Sequence, residues 1–103
     1  MQKKWIIQED GFFTSGLVEL HSDLADNKTT PKGGGLYNYD PTANELILYG
    51  TSFDFGQAQE EDIISAFKNC QCSPTLFNTR VYLSRSLVLA DADGDQELIY
   101  EPD

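Results

Sequence analysis

The sequence predicts an α+β fold: one small domain in which a mostly antiparallel sheet of about six strands carries a single main helix, about Gln59–Asn69. Three observations predict it. Runs of β-favouring residues alternate with short polar turns along most of the chain, as in successive hairpins. Only the stretch beginning near Gln59 has apolar residues at helical spacing. And 103 residues, 40 % of them apolar, suffice for one core that buries roughly 60–65 % of the unfolded surface.

Taken in order, Trp5, Ile6 and Ile7 form the first apolar run, Glu9, Asp10 and Gly11 turn the chain, and Phe12 to His21 resumes with β-favouring residues interrupted by Ser15 and Gly16. This is an opening hairpin. Side chains alternate along a strand, so Gly16, Val18 and Leu20 share one face and Leu17, Glu19 and His21 the other. His21 is thus expected half-exposed at a strand end. Ser22 to Lys32 is polar, contains Asn27 and Pro31, and has no apolar period, so it reads as a loop. Gly33, Gly34 and Gly35 follow, permitting positive φ and close backbone approach at a considerable entropic cost.

Leu36 to Tyr39 and Glu45 to Tyr49 make a second hairpin, with Asp40 and Pro41 opening its turn and Asn44 and Glu45 closing it. Leu46, Ile47, Leu48 and Tyr49 are apolar on both faces, which places that strand near the middle of the sheet, the helix being one of its covers. Glu60, Glu61 and Asp62 occupy the first turn of the helix, where the macrodipole favours carboxylates by roughly 0.3–1 kcal/mol each. Ile63, Phe67 and Cys70, with Ile64 beside them, form the stripe that packs on the sheet, and Lys68 and Asn69 suit the helix end. Beyond Ser73 and Pro74, Thr79 to Ala90 reads as a long strand bent near Arg85 and Ser86. Asp91 to Asp95 turn the chain, and Gln96 to Tyr100 return antiparallel.

Seventeen acids against seven bases give a net charge of −10, which repels nucleic-acid phosphates and anionic lipid surfaces. Lys3 and Lys4 are the only basic neighbours, so neither nucleic acid nor membrane is an expected partner, and a protein is. Free anionic substrates meet the same repulsion, screened over about 8 Å at physiological salt. The three-residue apolar run near the N-terminus makes neither a signal peptide nor a membrane span, and a cytoplasmic location is expected. Cys70 and Cys72 stand too close for an unstrained disulfide, and His21 is the only imidazole that could join them, so two reduced thiols without metal or cofactor are expected.

Asp91, Asp93, Asp95 and Glu97 alternate as calcium ligands do. In the EF-hand register, however, Gly94 falls where no sharp turn is wanted and Pro102 where a bidentate Glu is required, leaving an acidic hairpin turn. Among catalytic side chains, His21 is the one possible imidazole base. The loop from Tyr49 to Ala58 is the most specific feature: strand, glycine-bearing loop and helix start in succession present backbone N–H groups to an anion.

The glycine triplet, the hairpin, and then Tyr49, Gly50, Ser52, Phe55, Gly56 and Ala58 at fixed offsets before a helix resemble the Janus/Ocnus family of phosphohistidine phosphatases. Asp10 to Ser22 is similar to that family's first long strand, so that the resemblance spans about a third to a half of the chain. It implies an α+β fold with a central mixed sheet and a phosphate pocket in the loop. Ser52 and the backbone of Ser52, Phe53 and Asp54 would hold the anion within a frame set by Gly50 and Gly56. The family's catalytic histidine lies on a helix between the first long strand and the glycine triplet, whereas Asp23 to Lys32 here contains no histidine and is short for a helix. Leu36 stands where the family has a basic residue, Thr14 or Ser15 where it has a lysine, and Asp54 and Glu60 to Asp62 add negative charge beside the pocket. The expectation is a Janus/Ocnus-like domain whose chemistry has been removed, acting as a binding or regulatory module through protein contacts. The alternatives are a minimal phosphohistidine phosphatase-like enzyme using His21 and the Ser52 loop, and an acidic phosphate mimic for a basic partner.

Overall fold

A computed structural model describes residues 1–26, 29–84 and 96–102. Strands β1 (Gln2–Ile7), β2 (Phe13–Val18), β3 (Gly33–Asp40), β4 (Glu45–Tyr49), β5 (Arg80–Leu83) and β6 (Glu97–Tyr100) form one sheet in the order β2-β1-β3-β4-β5-β6. All neighbouring pairs are antiparallel except β4 and β5, which run parallel because helix α1 (Glu60–Lys68) crosses between them. The α+β class, the mixed sheet and the single main helix are as the sequence predicts, and β4 does lie near the middle.

Alternation sorts each strand between two faces. Trp5 and Ile7 of β1, Phe13 of β2, Leu46 and Leu48 of β4 and Val81 of β5 point to one side, where Ile63, Ala66 and Phe67 of α1 cover them. An aromatic file runs through this core, from Trp5 to Phe13 (5.6 Å between ring centroids), on to Phe67 (4.9 Å) and then Tyr100 (6.1 Å). Full burial of Ile63 and Phe67 contributes about 1.5–3 kcal/mol each.

The helix stripe differs from expectation at its end. Cys70 is exposed and Ala66 fills its place in the core, because the helix stops at Lys68 in a Schellman turn. The N–H of Cys70 bonds the carbonyl of Phe67 at 3.2 Å, and that of Gln71 bonds the carbonyl of Ala66 at 2.7 Å. Cys70 itself sits at φ 56°, the left-handed position usually filled by glycine, just past the end that Lys68 and Asn69 mark in the sequence. Cys72, two residues on, is the buried thiol, and burial pushes its pKa up to about 11.

Strand β2 ends at Val18, and His21 opens a 3-10 turn, His21–Asp23, instead of ending the strand. The Asp23 carboxylate accepts the Leu20 N–H at 3.0 Å while the Asp23 N–H bonds the Leu20 carbonyl, so a local turn outcompetes β propensity. His21 is buried, not half-exposed. At the far end of the chain, β5 is described only to Leu83. The expected bend near Arg85 and the acidic turn Asp91 to Asp95 fall outside the described residues.

Candidate functional site

The glycine triplet is the first part of β3, and its Gly33, Gly34 and Gly35 pair with Ile7, Ile6 and Trp5 of β1. On the other edge of β3 the regular ladder to β4 stops at Leu36 and Tyr49, and the loop that follows folds back onto Gly34. The Ser52 N–H bonds the Gly34 carbonyl at 3.1 Å, the Gly34 N–H bonds the Gly56 carbonyl at 2.9 Å, and Gly56 bonds the Ser52 carbonyl at 2.9 Å. Both glycines of the loop have positive φ, 69° at Gly50 and 73° at Gly56, which lets the chain reverse within so few residues.

His21 reaches the same place from the face opposite α1. A Cβ added to Gly34 would lie 3.2 Å from His21 Cδ2 and 3.0 Å from Ile6 Cγ2, so imidazole and isoleucine share that face. The turn carrying His21 is tied to β1 by the buried Gln8, whose amide donates to the Leu24 carbonyl (2.8 Å) and accepts the Asp26 N–H (3.2 Å). His21 Nε2 lies 2.8 Å from the Gly35 carbonyl. A carbonyl can only accept, so Nε2 carries the proton and Nδ1 keeps a lone pair.

Burial lowers the His21 pKa below the ordinary histidine value; the bond to Gly35 opposes this, Lys4 adds to it, and Asp54 opposes it. The side chain is therefore neutral at pH 7. Lys4 escaped the sequence reading. It lies two residues before Ile6 and so on the His21 face of β1, its ammonium donating to the Glu19 carbonyl. The signal was the one basic pair in the chain combined with strand period, but the register against β3 was needed to use it.

Ser52 is 3 % exposed and His21 5 %. Ser52 Oγ accepts the Phe55 N–H at 3.1 Å, and the hydroxyl keeps its own proton as a donor. Among the described residues, the N–H groups of Phe53 and Asp54 at the loop tip donate to no protein acceptor. The Phe53 ring is fully exposed, and it lines with Gln2, Leu36, Gly50 and Thr51 a groove of about 310 Å³.

His21, Ser52, Phe53, Asp54, Gly50 and Gly56 are thus brought to one locality around Gly34 and Gly35. The start of α1 is engaged elsewhere, its Asp62 facing Lys32 at 3.8 Å. Cys70 and Cys72 follow the end of α1, and among the described residues no three His, Cys, Asp or Glu side chains gather as a metal cluster. The chain matches no family model, no curated protein and no solved structure. None of the described helices is long and apolar enough to cross a membrane.

Proposed function

We propose that this protein is a small phosphoryl hydrolase of the phosphohistidine phosphatase type, acting in the cytosol, with His21 as its base and the Ser52 loop as its phosphoryl cradle. One observation carries the proposal: adjacent glycines hold both parts, Gly35 through its carbonyl to His21 and Gly34 through its N–H and carbonyl to Gly56 and Ser52. Because β2 stops at Val18, His21 stands on a helical turn between the opening hairpin and the glycine triplet. That is where the Janus/Ocnus resemblance expects a catalytic histidine. The Ser52 hydroxyl and the N–H groups of Phe53 and Asp54 would hold the phosphoryl oxygens, with Lys4 supplying positive charge.

A water oxygen attacks phosphorus as His21 Nδ1 takes the proton. The bond from phosphorus to the leaving nitrogen then breaks, with its electron pair going to that nitrogen, which takes the proton back from His21 as it departs. The products are inorganic phosphate and the free imidazole or amine. Phosphate release from a phosphohistidine peptide tests this. The wild type is expected to release phosphate, and His21→Ala and Ser52→Ala to reduce the rate at least about a hundredfold. Release that persists undiminished in His21→Ala, or no release by the wild type, rejects the proposal.

The burial of both His21 and Ser52 and the exposed ring of Phe53 favour a second reading, a non-catalytic module that binds a protein partner. In that case Phe53→Ser weakens partner binding while the wild type releases no phosphate.

A further inference from the structure

We propose that Asp54 is a specificity-determining residue of the Ser52 loop, favouring phosphoryl groups carried on a positively charged leaving group over phosphate esters of neutral alcohols. The inference rests on the hydrolase reading above. Of the two loop-tip donors without a described acceptor, one is the N–H of Asp54 itself. Three bonds separate that nitrogen from the carboxylate carbon, so an oxygen accepting from the N–H lies within about 7 Å of a like charge whatever rotamer Asp54 adopts. The Asp54 side chain is exposed.

The surroundings do not cancel this charge. Leu36, next after the glycine that holds His21, contributes no cation. His21 is neutral, and Lys4 is the cation whose field reaches it, opposed there by Asp54. A phosphate dianion, whether free or esterified to a neutral alcohol, therefore meets one ammonium acting at His21 and one carboxylate on the loop. A phosphorylated imidazole or amine whose nitrogen is protonated brings the missing positive charge with it, and Asp54 stands where it can pair with that charge. The carboxylate so discriminates between leaving groups while taking no part in the attack on phosphorus.

Wild type, Asp54→Asn and Asp54→Glu are compared at low salt on a phosphohistidine peptide and on p-nitrophenyl phosphate. Asp54→Asn is expected to raise kcat/KM for the ester about fivefold and to lower it for the phosphohistidine peptide by a similar factor, with Asp54→Glu restoring the wild-type preference. Inorganic phosphate should inhibit Asp54→Asn at about fivefold lower concentration. If Asp54→Asn changes both substrates in the same direction, or neither, Asp54 has no role in specificity although the hydrolase stands. If the wild type cleaves neither probe, the hydrolase reading falls and this inference falls with it.

Discussion

His21 shows how one backbone carbonyl sets the chemistry of a side chain. Since the Gly35 oxygen accepts from Nε2, the tautomer is fixed, and burial keeps the ring uncharged below the usual histidine range. The chain has a single histidine, so its titration by NMR is unambiguous. Its pKa is expected below 6.5, to rise in Lys4→Gln, which removes a repelling ammonium, and to fall further in Asp54→Asn, which removes a supporting carboxylate. An unchanged pKa in both variants would show that neither charge reaches the ring. A folded-state pKa below the unfolded one means that the unfolded chain binds the proton more readily. The stability contributed by neutral His21 is thus fully present above pH 6.5 and is lost as pH falls through the lowered value.

Among the elements, the first part of β3 constrains its neighbours most. A Cβ on Gly34 would meet the Trp5 carbonyl at 2.3 Å, in the backbone of β1, whereas one on Gly56 would meet nothing within 4 Å and suffer only from a φ of 73°. Gly34→Ala is therefore expected to destabilise the protein by about 2–4 kcal/mol and Gly56→Ala by about 1 kcal/mol in urea unfolding. The opposite order would mean that β1 gives way easily. The elements themselves were largely legible: period two marked both hairpins, period 3.6 marked α1, and Asp40 with Asn44 marked the turn that the Asp40 carboxylate caps by accepting from Thr42 and Ala43. One end was not. The stop of α1 falls where Lys68 and Asn69 mark it, although Cys70 takes the left-handed position usual for glycine, whereas the stop of β2 depends on Asp23 reaching back to Leu20, a bond that strand propensity does not anticipate.

Across the whole molecule the sheet separates the core packed against α1 on one face from His21 on the other. The composition of the site was legible from the loop and its glycines. Its assembly was not, because the approach of Lys4 to His21 and of Ser52 to Gly34 depends on long-range register between strands. Trp5 belongs to both regions. It is the only tryptophan, 2 % exposed and stacked on Phe13, and its indole N–H donates to the Leu36 carbonyl at 2.9 Å, one residue from the carbonyl that holds His21. The protein therefore contains its own fluorophore beside the proposed cradle. Emission excited at the indole should be blue-shifted in the native state and move to the red on unfolding, and its intensity should change when an anion settles on the loop, so that occupancy can be followed without any label.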